Sequence, residues 1–458
     1  MPSRSAQADP DTAVGTPPRK VLTTRLLYFF ILGDVLGAGV YVLIGEVAAK
    51  SGGAVWVPLT VALLLALLTA ASYAELATKY PRAGGASYYA TRAYGPAVGF
   101  FTGFCMLAAG TVSVAALARG FAGDYLTTIV KLPVVLVAVV FLALLALLNA
   151  RGIRESTRAN TVATLVETGG LLLVIVLGAW IVLRGDGDIG RLTQLGTDSA
   201  SPVAAVLAGA VLAYYSFVGF ETSVNVAEET LDPGRSYPRA LFGALVTAGV
   251  VYAAVGAAAS AAVPTGTLAA SDGPLLEVVH AAGAVPPRLF AFIALVAVAN
   301  GALLTGIMSS RLAYGMAREG LLPAFLTRVL PARRTPWAAI AATTAVSALL
   351  AVTGEIDVLA GTLVLLLLAV FLIVNTAVLV LRRDRSAAPA TTHFQAPTVV
   401  PVLGALSCVV LATQIEGTVW IRGGVLMGVG VALGLLVLWR RRRGAALPDG
   451  PPRPEGDH

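Results

Sequence analysis

About twelve apolar runs, each close to 20 residues long, divide this chain and restrict it to one kind of fold. A run of that length crosses the hydrocarbon core of a bilayer as an α-helix, which satisfies its own backbone hydrogen bonds in lipid. Soluble domains carry about 25% charged residues, whereas this chain is 12% charged and 57% hydrophobic. We therefore predict an all-α integral membrane protein with about twelve transmembrane helices.

Two of these runs, the first and the sixth in order, are interrupted near their middle. Asp34 precedes the segment Gly37-Ala38-Gly39 in the first run, and Glu221 closes a Gly-containing segment, residues 214–221, in the sixth. Glycine pairs and carboxylates are unusual in a helix that spans lipid. Broken helices at matching positions of two halves are typical of the substrate site of a secondary transporter.

The positions of the two breaks predict an inverted repeat. The sixth helix comes five helices after the first, and because five is odd, a repeated half would cross the membrane in the opposite sense. We assign residues 26–183 to the first repeat, with helices 1–5, and residues 202–381 to the second, with helices 6–10. Residues 397–440 form helices 11 and 12. Residues 1–25 and 441–458 are predicted to be disordered cytoplasmic tails.

Lysine and arginine concentrate on alternate loops. Clusters follow the even-numbered runs, for example Arg151, Arg154 and Arg158 after the fourth, whereas the loops between them carry few basic residues. The positive-inside rule then places both termini in the cytoplasm, in a multi-pass protein of the plasma membrane. This distribution accounts for the net charge of +7 without a nucleic-acid partner.

A break in a spanning helix frees backbone groups that lipid cannot satisfy. The amides of residues 37–39 would open a half-helix, whose positive dipole end suits a carboxylate. The freed carbonyls of Leu36, Tyr215 and Val218 suit an ammonium group. Together the two breaks could hold the zwitterionic head of an α-amino acid. The alternative is that these small residues only allow close helix packing.

Four segments carry a family signature. Leu36-Gly37-Ala38-Gly39-Val40 and residues 216–221, with their continuation to residue 233, correspond to the first-helix and sixth-helix breaks of one superfamily. Residues 74–88 and 309–323 correspond to its loop between the second and third helices and to its eighth-helix signature. The chain thus resembles the amino acid–polyamine–organocation (APC) superfamily over residues 26–381. It is most similar to bacterial permeases related to cationic amino acid transporters.

This resemblance implies a LeuT-like fold, in which a mobile bundle of helices 1, 2, 6 and 7 rocks against a scaffold. The substrate carboxylate would lie on the amides of residues 37–39 and the substrate amine on the freed carbonyls, and Phe220 would close over the substrate as a gate. The implied substrate-binding residues are Leu36, Gly37, Ala38, Gly39, Tyr215, Ser216, Val218, Gly219 and Phe220.

Acidic residues within the spans are the candidates for proton coupling. Proton-coupled relatives often carry a lysine in the fifth helix, but Glu167 aligns there, so the lysine mechanism cannot be transferred. Glu167 could carry the coupling proton, and Glu221 could do so or contact substrate. Either could instead hydrogen-bond a freed backbone amide, and Asp34 could pair with a gate residue.

We predict a secondary active transporter that moves amino acids by alternating access, coupled to protons. An amino acid/polyamine exchanger and a membrane amino acid sensor without transport are the alternatives. The sequence has no phosphate-binding Gly-rich loop with lysine and no recognisable nucleophile–base pair, so neither an enzyme nor a cofactor is expected. Residues 124–133 contain no cysteine, which argues against a disulfide-linked accessory chain.

Overall fold

The computed structural model describes residues 22–81, 84–152, 156–196, 201–331, 333–384 and 393–442. Within these ranges the protein is helical, as predicted. Eight helices are long and apolar enough to cross a membrane, two bent helix pairs add two further spans, and Trp337–Thr353 and Val399–Thr413 are shorter apolar helices. Most of the two predicted disordered tails lies outside the described residues.

The helices follow the predicted order of spans. The unbroken ones are Trp56–Lys79 (span 2), Pro96–Ala122 (span 3), Val134–Arg151 (span 4), Ser156–Leu183 (span 5), Pro233–Ala262 (span 7), Pro287–Arg318 (span 8), Trp337–Thr353 (span 9), Ile356–Leu381 (span 10), Val399–Thr413 (span 11) and Gly417–Arg442 (span 12). Short helices lie in the connections, at Gly85–Tyr94, Asp124–Thr127, Thr265–Ala269 and Pro274–Ala282.

Spans 1 and 6 are broken where the sequence predicts. Span 1 consists of Thr24–Val35 and Gly39–Ser51, with axes bent by 51°, and Pro202–Tyr215 of span 6 is bent by 41° from the 3-10 helix that follows it. Gly219 in the second break has a φ of 129°, a conformation that only glycine adopts readily. A Cβ atom there would also lie 2.8 Å from the Asp34 carbonyl oxygen, so glycine lets the two breaks meet.

Four of the five pairs of corresponding helices in the two halves pack against each other. Span 1 contacts span 6, span 2 contacts span 7, span 3 contacts span 8 and span 4 contacts span 9. The contact between spans 2 and 7 depends on small residues, because a Cβ on Gly249 would lie 2.4 Å from Leu63 and one on Gly256 would lie 2.7 Å from Leu59. Spans 11 and 12 pack on span 10, outside this five-plus-five LeuT-like arrangement.

A buried ion pair ties span 2 to the end of span 10. Arg382 donates hydrogen bonds of 2.7 Å to both carboxylate oxygens of Glu75, which is 1% exposed. The pair also fixes the segment that precedes span 11, because the Ala396 carbonyl accepts from Arg382 at 2.6 Å and its amide donates to Glu75 at 3.0 Å. The hydrogen bonds with Glu75 raise the pKa of the Arg382 guanidinium, so it stays charged at physiological pH.

We expect Glu75→Gln to lower the free energy of unfolding by about 3 kcal/mol, because it leaves a partly buried guanidinium without its counter-charge. The melting temperature of the purified protein measures this change. Glu416→Gln is the matched control, because Glu416 is 54% exposed and pairs with Lys50 at the surface, where an ion pair contributes at most about 1 kcal/mol. Equal losses in the two variants would show that the buried Glu75 pair stabilises the fold no more than a surface ion pair does.

Candidate functional site

A cavity of about 460 Å³ lies between the two breaks. Both broken spans line it, together with spans 3, 8 and 10 and the connection between spans 2 and 3. At one end of the cavity, Ala38 packs against Gly301 of span 8 and Leu117 of span 3. A Cβ atom on Gly301 would lie only 3.2 Å from the Ala38 Cβ and 3.7 Å from Leu117, so the three spans leave little space at this end.

The opposite end of the cavity reaches the surface. Its lining there includes Gly84, Asn225 and Arg311, all of which are exposed. These residues lie close to the connections that follow spans 2, 6 and 8, which carry the basic clusters of the sequence. We call this side of the molecule the basic face, and the cavity therefore extends from the two breaks toward the basic face.

The structure brings most of the sequence-predicted residues to this cavity. Asp34 and Glu221 line it, whereas Leu36 and Phe220 are buried behind the lining, at 3% and 0% exposure, and Glu167 lies apart from it. Seven of the nine predicted substrate-binding residues line the cavity: Gly37, Ala38, Gly39, Tyr215, Ser216, Val218 and Gly219.

In the first break, two backbone amides are available to bind a ligand, and a third is already hydrogen-bonded within the protein. The amides of Ala38 and Gly39 have no backbone acceptor among the described residues, as expected at the start of a helix. The Gly37 amide donates to the Val35 carbonyl at 2.7 Å and to the Tyr252 hydroxyl at 3.2 Å. That hydroxyl donates to the Val35 carbonyl at 2.5 Å, so a span 7 tyrosine braces the break. Sequence reasoning missed Tyr252, because nothing marks it among the apolar residues of span 7.

Hydrogen bonds connect the second break to the first. The Gly219 amide donates to the Glu221 carboxylate at 2.9 Å. The Thr222 hydroxyl, which lies 2.5 Å from the Asp34 carboxylate and 2.8 Å from the Gly219 carbonyl, can donate to either. Both acids therefore lie beside Gly219, one on each broken span. The carboxylates of both acids accept hydrogen bonds from span 6, and the bond to Asp34 links the second break to the first.

The Tyr215 side chain anchors the second break to span 3. Its hydroxyl lies 2.9 Å from the hydroxyl of Ser113, at hydrogen-bonding distance.

The backbone carbonyls of the two breaks differ in whether they already accept a hydrogen bond. The Tyr215 carbonyl accepts from the Val218 amide at 3.1 Å, whereas the carbonyls of Leu36 and Val218 accept no backbone bond outside the helices in the described part of the chain. Two of the three carbonyls that the sequence proposes for an ammonium group thus have no backbone donor of this kind, and Val218 is the one of these two residues that lines the cavity.

Phe220 occupies an aromatic cluster in this structure. Its ring is edge-on to Tyr73, with centroids 5.7 Å apart, and stacks on Phe371 at 5.6 Å. The cluster joins spans 2, 6 and 10 behind the cavity lining. A gating role for Phe220 stays a prediction, and it requires the ring to leave this cluster.

Glu167 is buried in span 5 with an unsatisfied oxygen. It is 2% exposed, and its Oε1 atom has no hydrogen-bond partner in the part of the chain that the structure describes. The hydroxyl of Tyr41 donates to the Glu167 backbone carbonyl at 2.6 Å. An unpaired ionised oxygen is costly at this depth, whereas a protonated carboxyl group is not charged. Tyr41 belongs to the half-helix Gly39–Ser51, which begins at the first break, and so connects Glu167 to that break.

Known proteins resemble this chain over most of its length. The family model described as amino acid permease matches residues 22–429. The branched-chain amino acid permease BcaP of Bacillus subtilis (strain 168) is 26% identical over 426 residues, which cover 88% of this chain and 89% of BcaP. The chloroplastic cationic amino acid transporter 9 of Arabidopsis thaliana is 29% identical over 359 residues, covering 72% of this chain and 61% of that protein.

A solved structure shares the fold. A manganese transporter mutant of Eremococcus coleocola superposes with a TM-score of 0.58 at 14% sequence identity, over 93% of this chain and 97% of that one. At this identity the likeness concerns the architecture alone. It agrees with the two broken spans and with the pairing of counterpart helices described above.

Proposed function

The chain belongs to the amino acid permease family of the APC superfamily, as its sequence motifs predict, and from this we propose that it carries amino acids across the plasma membrane as a secondary active transporter. The cavity between the breaks is the observation that carries the proposal. Its lining packs closely where Ala38 meets Gly301, and it includes exposed residues near the basic face, an arrangement that fits one state of an alternating-access cycle.

The proposed recognition of the substrate uses the backbone. The amides of Ala38 and Gly39 lie at the N-terminus of a half-helix, where a carboxylate is favoured. The carbonyls of Leu36 and Val218 would accept from the ammonium group. Backbone groups would bind the head group that all α-amino acids share, so the residues that line the rest of the cavity would determine which substrate side chain is accepted.

We propose that the basic face is cytoplasmic, as the positive-inside rule predicts. The exposed end of the cavity would then face the cytoplasm, and the structure would represent an inward-facing state. Both termini would lie on the same side, because the number of spans is even.

We also propose that transport is coupled to protons through Glu167. The unpartnered Oε1 atom supports this, because a buried carboxyl group of that kind changes its charge when its surroundings become wet. The hydrogen bond from Tyr41 to the Glu167 backbone offers a route by which the first break could sense that change, because Tyr41 lies in the half-helix that begins at that break. Glu221 is the second candidate, although its carboxylate already accepts the Gly219 amide.

Uptake into proteoliposomes tests the function. We expect the protein to accumulate labelled amino acids, and to bind analogues that lack either the carboxylate or the amine at least tenfold more weakly, a difference of about 1.4 kcal/mol. Competition between an amino acid and its decarboxylated amine measures the effect directly. Equal affinities for the two would contradict head-group recognition and would favour a polyamine-type site.

A further inference from the structure

The cavity wall that faces the two breaks is largely apolar. Spans 3, 8 and 10 form this wall, and ten of the fourteen residues that they contribute have no polar side-chain group: three glycines and Met106, Ala109, Leu117, Met308, Leu312, Leu363 and Leu367. Three others carry hydroxyl groups, Ser113, Thr305 and Ser309, and those of Ser113 and Ser309 already lie at hydrogen-bonding distance from the Tyr215 hydroxyl and the Thr305 carbonyl.

The charged residues that line the cavity are two acids on the broken spans and Arg311 near the exposed end of span 8. Asp34 and Glu221 lie on the broken spans, and each already accepts a hydrogen bond from span 6. Arg311 is ten residues beyond Gly301 on span 8, about 15 Å along the helix. It is exposed at the basic face, whereas Gly301 marks the closed end. A side chain that extends from the breaks toward spans 3 and 10 therefore meets no charged partner there.

We propose that the substrates are neutral amino acids with aliphatic side chains, such as leucine, isoleucine and valine. This inference rests on the proposed function, because it assumes that the amino acid head occupies the breaks. A guanidinium or ammonium placed against the methionine and leucine side chains of this wall would lose hydration that no charged partner there replaces. An aliphatic side chain gains by leaving water at the same place. Leu363 and Leu367 limit its size from span 10.

Competition against labelled leucine tests the substrate class. With wild-type protein in proteoliposomes, we expect isoleucine and valine to compete within a few fold of leucine, and arginine and lysine to compete at least tenfold more weakly. Preference for arginine or lysine would overturn the inference and leave amino acid transport standing. Uptake of no amino acid at all would instead contradict the proposed function.

Two neighbouring leucines provide a matched test of the wall. Leu367 lines the cavity, whereas Leu366, 0% exposed on the same helix, does not. Leu367→Ala should raise the ratio of phenylalanine to valine uptake at least tenfold, and Leu366→Ala should leave it unchanged. Leu367→Val, a smaller change that is easier to accommodate, should shift the ratio in the same direction by about threefold. An unchanged ratio in both Leu367 variants would overturn the assignment of span 10 to the side-chain pocket.

Discussion

Replacing Gly37 by valine is expected to abolish substrate binding and to leave the fold intact. Gly37 lines the cavity, and a Cβ there would meet only the carbonyl oxygens of Val35 and Asp34, at 3.6 and 3.7 Å. These are ordinary contacts, so the protein can accommodate the side chain. The new methyl groups would nevertheless fill the space through which a carboxylate approaches the amides. We expect affinity to fall at least a hundredfold, about 2.7 kcal/mol.

Equilibrium binding of a labelled amino acid, together with the melting temperature, measures this effect. Gly424→Val in span 12 is the control, since a Cβ there has no atom within 4 Å. Gly39→Val should behave differently, because its Cβ would lie 3.0 Å from the Tyr215 ring and 3.1 Å from the Ser216 Cα. That variant should lose stability as well as binding. Wild-type affinity in Gly37→Val would refute the placement of the substrate at the first break.

Glu167→Gln is expected to keep substrate binding and exchange but to lose accumulation driven by a pH gradient. Glutamine resembles the protonated carboxyl group in shape and cannot release a proton. A gradient of one pH unit provides about 1.4 kcal/mol, which corresponds to tenfold accumulation when one proton accompanies each substrate. The wild type should approach that ratio in proteoliposomes, and the variant should equilibrate near unity.

Counterflow exchange in the same vesicles shows whether the variant is still active. Glu221→Gln serves as the comparison, because this second buried acid lines the cavity and already has a backbone donor. If Glu167→Gln accumulates substrate like the wild type, Glu167 has a structural role and does not carry the proton. Loss of accumulation in Glu221→Gln alone would transfer the coupling role to that residue.

The sequence by itself determined the membrane class, the order of the spans, the positions of both breaks and the superfamily. These properties depend on local composition, because the length of an apolar run sets a span and a Gly-containing interruption within it marks a break. The segment Gly37-Ala38-Gly39 and Gly219 could thus be identified without any knowledge of their neighbours. The prediction that backbone groups recognise the substrate rests on the same two segments.

Only the tertiary structure decided which side chains surround those breaks. Tyr252 braces the first break from 215 residues away, and Arg382 pairs with Glu75 across 307 residues. Phe220 packs into an aromatic cluster, whereas the family resemblance implies that it closes over the substrate. A nearly uniformly apolar helix carries little information about which face it turns toward its neighbours, because lipid and protein interior are equally apolar. Helix rotation, and with it the cavity and its wall, is therefore set by the packing of all the spans together.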